Sequence, residues 1–175
     1  MTLSETTRAA GVLLTCEPAR SVAEIADHHA IRHHVFVVEQ SIFAGSDTDA
    51  RDDDPATTRV LGRCDGVAAG SVRIYELEPG LWQGDRLAVL PPYRVLGLGT
   101  PLVRYAVALA GAHGGSTMIA HIQLPNVAFF THLGWRLSGA VESYAGRPHQ
   151  PMSIGLPSTA TGARIAEELH AGVTR

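Results

Sequence analysis

At 175 residues the chain is long enough to bury one substantial core, and its formal charge of −3 without any basic cluster argues against a nucleic-acid partner. No apolar run approaches the roughly 18 residues of a membrane span, and "MTLSETTRAAGVLLTCEP" lacks the charged start and long apolar stretch of a signal peptide, so a cytoplasmic protein with no membrane partner is expected. All fourteen basic side chains are arginine, which removes a P-loop lysine, Schiff-base chemistry and self-acetylation on lysine. Cys16 and Cys64 stand apart, suggesting neither a zinc ligand set nor a disulfide framework.

Residues 1–10 are expected to form a flexible N-terminus. "GVLLTCEP" (Gly11 to Pro18) reads as a strand, followed by "SVAEIADHHAIRHHVFVVEQ", where Ser21 and Glu24 make a capping box and a helical pattern runs through Phe36. An acidic loop, "SDTDARDDDP", comes next. "TRVLGRC", "VAAGSVRIYEL" and "GDRLAVLP" read as three successive strands, the first pair turned at "CDG". "YRVLGLGTPLVRYA" then places glycines before a helix, with Thr100 predicted as its N-cap and Pro101 at its first position. "TMIAHIQL" is a short strand and "PNVAFFTHLG" a short helix. "WRLSGAVESY" and "HQPMSIGL" read as an antiparallel pair, and "TGARIAEELHAG" as a small helix or a frayed tail. The order predicts an α/β (α+β) domain over residues 11–156, built on a mixed central sheet of about seven strands with helices on both faces, and a tail over residues 157–175 with a short helix.

A bare glycine loop feeding a helix N-terminus is a place for an anion, usually a phosphate, because backbone N–H groups and the helix dipole point the same way. A Walker-type loop needs a lysine that the chain does not have. A dinucleotide fingerprint needs a third glycine, where Leu102 stands, and an acidic residue some ~20 positions on, which "STMIAHIQ" does not offer. Arg94, Gly97 and Gly99 instead fit R-x-x-G-x-G after a strand.

That hexapeptide resembles the coenzyme A pyrophosphate loop of the GNAT N-acetyltransferases, and the order of elements is similar to that fold from about Gly11 to Leu156. "IRHHVFVVEQ" and "AGRPHQPM" resemble segments of its ElaA-like branch. "GLWQGDRLAVLP", "LGTPLVRYAV", "QLPNVAFFTHLGW" and "GRPHQPM" look like signatures of the nitrogen-starvation N-acetyltransferases. The resemblance implies a GNAT fold, acetyl-CoA as acyl donor, and a small-molecule amine as acceptor, joined in a ternary complex. It also suggests a homodimer, by analogy of fold alone.

The resemblance carries roles onto particular residues. Arg94, Val95, Leu96, Gly97, Leu98, Gly99 and Thr100 would hold the pyrophosphate, the backbone N–H groups from Gly97 to Thr100 binding it and Arg94 adding charge. Leu87, Ala88 and Val89 would pair with the pantetheine arm, the N–H of Val89 acting as oxyanion donor. Gln123 and Asn126 would face the pantetheine, unless Asn126 merely caps its helix. Two positions depart from the family. Phe130 stands where many members have a tyrosine acid, so it can line the cofactor but cannot donate a proton. Arg86, beside Asp85, stands where many have a glutamate base. Glu39 and His149 are the substitute candidates for the base, and Tyr144 for the acid.

Other features carry less. His29 and His33, flanked by His28 and His34, share a helix face at metal-ligand spacing, but no third ligand is evident and no metal is expected. Asp47, Asp49, Asp52, Asp53 and Asp54 lack the mid-loop glycine and terminal glutamate of an EF-hand. Their loop could be simply solvated, or could overhang the acceptor pocket and draw in a cationic amine. Phe36, Phe43, Phe129, Phe130, Trp82 and Trp135 are core by default, although Trp82 could line the acceptor site. Two other functions stay open: a weakly catalytic acyl-CoA-binding sensor, and acyl-homoserine-lactone synthesis, which shares the fold and a similar R-x-x-V-F segment.

Overall fold

A computed structural model describes residues 11–175; the expected flexible stretch 1–10 lies outside the described residues. The strands are β1 (Leu13–Pro18), β2 (Thr58–Cys64), β3 (Val67–Glu78), β4 (Leu81–Val89), β5 (Thr117–Gln123), β6 (Arg136–Leu137), β7 (Glu142–Tyr144), β8 (Arg147–Gly155) and β9 (Val173–Thr174). They form one sheet in the order β6-β8-β5-β4-β3-β2-β1-β9, with β7 also paired to β8. Every pairing is antiparallel except β4 with β5. The sheet thus has nine strands rather than about seven. "WRLSGAVESY" breaks into β6 and β7, and β9 adds an edge beside β1.

The helix α1 (Val22–Arg32) opens on the expected capping box, Ser21 Oγ accepting from the N–H of Glu24 while the Glu24 carboxylate accepts from the N–H of Ser21. It does not stop at Phe36. It widens into a π-helical turn over His33–Glu39, which carries Glu39 and Gln40 toward the middle of the sheet. Ile31, Val35 and Phe36 pack from this side onto Leu61 and Ala88. On the opposite face, α2 (Gly99–Ala112) buries Leu102, Val103, Ala106 and Ala110 in the main core. Gly70 on β3 makes room for it, since a Cβ there would stand 2.6 Å from Leu102.

Two local expectations change. Thr100 is not the N-cap of α2. Gly97, at φ +77°, turns the chain after a short 3₁₀ segment (Pro91–Leu96), so Leu98 already has helical angles and caps the helix, with Thr100 second and Pro101 third. Proline is tolerated there because the N–H it lacks has no intrahelical partner. The segment after Pro157 is not frayed. It forms α4 (Thr159–Ala171), which lies on α2 and buries Ala166 and Leu169. A Cβ at Gly162 would come within 2.5 Å of the Ala108 carbonyl, so the two backbones touch where the helices meet. The short α3 (Val127–His132) follows β5.

Candidate active site

Between β4 and β5 the sheet comes apart. Their parallel pairing covers only Leu81 with Thr117, Trp82 with Met118 and Gln83 with Ile119. Beyond Gln83, β4 turns away. Its register against β3 slips between Ser71 and Arg73, and Arg86 takes φ +52°, a left-handed conformation uncommon for a residue with a side chain. The gap holds a cavity of about 270 Å³, with Gly84 to Leu87 on one wall and Ala120 to Gln123 on the other. The hairpin β7–β8 lends Tyr144 and His149, and the helices lend Phe36, Val103, Asn126 and Phe130.

The glycine loop lies beyond the end of β4. The N–H groups of Leu98, Gly99 and Thr100 donate to no group of the described residues, so three donors in succession are free at the start of α2. Gly97 needs its left-handed backbone, and a Cβ there would lie 3.2 Å from the Arg175 guanidinium. These residues fit a phosphate. The Leu98 side chain is fully buried in the core, so only its backbone serves the cradle, whereas Val95 is 90% exposed. Leu90 gives its N–H to Ala69 on β3. Val89, one residue back on an alternating strand, therefore turns its N–H and C=O to the open side. Arg94 Nε already donates to that carbonyl at 2.9 Å. Leu87 lines the cavity, while Ala88 packs against α1.

Glu39 does not reach the cavity. Its carboxylate takes both Nη atoms of Arg94 at 2.6 Å, and these hydrogen bonds hold it below the usual carboxylate range. A carboxylate so held is a poor base, and the same pair cancels the charge Arg94 would bring to a phosphate.

The acidic loop is not a solvated lure. Asp47, Asp49 and Asp52, with Asp85 from β4, surround three arginines: Arg32 of α1, Arg73 of β3 and Arg86 of β4. Arg32 and Arg73 are fully buried. Burial pushes the Asp52 carboxyl up, but hydrogen bonds from Arg32 and the Asp49 backbone outweigh it and hold the group below its ordinary range. These charges are spent on one another. Arg86, at the family's glutamate position, is thereby clamped by Asp47 and Asp49, and its Nη1 donates to the Tyr144 hydroxyl at 3.1 Å. The phenol accepts that bond, so its own proton is free to be donated.

His149 and Tyr144 both line the cavity, with ring centroids 5.3 Å apart. His149 Nδ1 lies 2.9 Å from the Arg147 carbonyl, an acceptor only, which puts the proton on Nδ1 and leaves Nε2 as the base nitrogen. Gln123 lines the cavity and donates to Gln40 at 3.1 Å. Asn126 stands at the N-cap of α3 but makes no capping bond, so its amide is left to the cavity it lines. Phe130 is buried edge-on against Trp135, and both line the cavity. Trp82 does not: it packs in the main core near His113. Among the described residues no three His, Cys, Asp or Glu side chains converge as a metal ligand set would, and no helix is long and apolar enough to cross a membrane.

One polar pair, with His121 in the cavity wall, escaped the sequence reading. His121 of β5 lines the cavity and meets the Glu142 carboxylate of β7 at 2.5 Å. The available signal was strand alternation. His121 lies two residues before Gln123 and so shares its face.

A model of the acetyltransferase (GNAT) family matches residues 23–135. The N-acetyltransferase YjcF of Bacillus subtilis (strain 168) is 27% identical over 135 residues, which cover 77% of this chain and 94% of that protein. A crystal structure of a Lactobacillus plantarum protein superposes with a TM-score of 0.75 at 22% identity, covering 82% of this chain and 99% of that one. Escherichia coli ElaA gives a TM-score of 0.71 at 20% identity, over 80% and 98% of the two chains. Since the family model spans more than half of its length, the chain belongs to the GNAT acetyltransferase family, whose enzymes take acyl groups from coenzyme A thioesters.

Proposed function

We propose that the protein moves an acetyl group from acetyl-CoA to the amine of a small molecule, directly, with both bound at once. The observation that carries this reading is the parting of β4 and β5 after Gln83, which opens a strand edge and a cavity at one point. Acetyl-CoA supplies a thioester carbonyl there. The free N–H groups of Leu98, Gly99 and Thr100 would hold its pyrophosphate. The outward N–H of Val89 would pair with the pantetheine arm or carry charge developing on the carbonyl oxygen. A cavity of about 270 Å³ suits a small acceptor.

The chain's own residues then handle protons. Two imidazoles, His149 and His121, reach the cavity, and either has a nitrogen able to take a proton from an ammonium group. The Tyr144 O–H would protonate the departing sulfur, a role Phe130 cannot fill. The four sequence blocks support a place among the nitrogen-starvation enzymes.

Calorimetric titration with acetyl-CoA, for the wild type and Gly97→Val, followed by an amine panel read for free thiol, tests the proposal. Binding abolished by the substitution, with thiol released for some amine, is expected. Binding without turnover on any amine would instead favour a CoA-binding sensor, and no binding at all would overturn the phosphate-loop assignment.

A further inference from the structure

We infer that the pair His121–Glu142 is the general base of the reaction, with Glu142 positioning the imidazole and His121 taking the proton from the acceptor's ammonium group. The inference rests on the acyl-transfer reading above and refines it.

Its basis is the register of three strands. Gln123 pairs with His149, His121 with Pro151, and Glu142 with His149, so these side chains share one face of the sheet. Tyr144, two residues after Glu142, joins them, its ring stacked on that of His121 at 6.3 Å. This face is the one that Gln40, at the end of the π-helical turn, closes through Gln123 and the Arg147 guanidinium.

The two imidazoles differ in what lies behind them. His149 is 4% exposed, and its Nδ1–H is given to a backbone carbonyl. Among the described residues no carboxylate pairs with its ring, whereas His121 has one. His121 Nδ1 stands 2.5 Å from the Glu142 carboxylate in a partly exposed pair, so a negative charge lies beside the ring, favours the proton on Nδ1 and leaves Nε2 as the acceptor. The other charges of the cavity are committed elsewhere. Asp85 is held by Arg73 and the Tyr75 hydroxyl, and Arg86 by Asp47, Asp49 and Tyr144. No rival carboxylate is free to serve as the base.

The step balances. One ammonium proton passes to His121 Nε2, and the amine lone pair forms the C–N bond as the C–S bond breaks. The sulfur takes the Tyr144 proton, and the second proton lost from nitrogen restores the phenol. The proton on His121 leaves to water.

The test is the pH profile of kcat/KM for His121→Gln, Glu142→Gln and His149→Gln, with an acetyl-CoA titration of each as a check on folding and donor binding. His121→Gln should lose about 10²–10⁴-fold in kcat/KM, lose the acidic limb of the profile, and keep the wild-type affinity for acetyl-CoA. Glu142→Gln should show a smaller loss of the same sign, carried by kcat. Added imidazole should restore activity to His121→Gly and not to Glu142→Gln. If His121→Gln keeps the limb, or His149→Gln removes it, the assignment is overturned while acyl transfer stands. If the wild type acetylates no amine, both fail together.

Discussion

Arg73→Met would isolate the largest electrostatic commitment of this fold. Arg73 is fully buried and touches Asp49, Asp52 and Asp85 at 2.7–3.0 Å. Methionine fills much the same volume, so the packing cost is small and the charge effect dominates. Asp52 keeps Arg32 and Asp49 keeps Arg86, but Asp85 is left with only the Tyr75 hydroxyl. Removing one partner of a buried ionic cluster costs about 3–5 kcal/mol. The remaining arginines put the expectation near 3 kcal/mol, or a fall in Tm of about 6–12 °C for a chain of this size. The loss must also depend on pH. Hydrogen bonds from Arg73 hold the Asp49 carboxyl below its ordinary range, so its contribution is complete above the unfolded value near ~4 and disappears as pH falls through the folded one. Urea unfolding of both proteins at pH 7 and at about pH 3.5 measures this. A loss of under about 1 kcal/mol at pH 7, or an equal loss at both pH values, would refute the reasoning.

Two further substitutions probe the site. Glu39→Gln should leave the pH profile of kcat/KM in place, since Glu39 is bound to Arg94 and not to the acceptor, and should tighten acetyl-CoA binding about two- to fivefold, the scale of an exposed ion pair. Loss of the acidic limb in that variant would restore Glu39 as a base. Tyr144→Phe removes both the proposed proton donor and the acceptor for Arg86 Nη1. Its kcat should drop about 10²-fold with the Kd for acetyl-CoA nearly unchanged, and an unaltered kcat would move the acid role to solvent.

Much of the architecture was legible in local spacing. The capping box at Ser21, the alternation of β2, β3 and β5, and the positive φ of Gly97 depend on residues no more than a few positions apart, which is where propensity and turn chemistry act. The R-x-x-G-x-G loop was readable for the same reason. The chemistry was less so, because it depends on partners that the sheet brings together. Glu39 looked like a free carboxylate until the π-helical turn set it on Arg94, 55 positions away. The aspartates of the 46–55 loop read as either solvated or a lure for a cationic amine because their arginines come from α1, β3 and β4. His121 looked like one more strand residue until the β7–β8 hairpin carried Glu142 to it. By itself the sequence determined most of the helices and strands in their order, though not the π-helical turn, β9 or the division of β6 from β7. Tertiary structure alone decided which charges are free to act, because a charge is neutralised by whatever stands within a few ångströms of it, and strand register decides what that is.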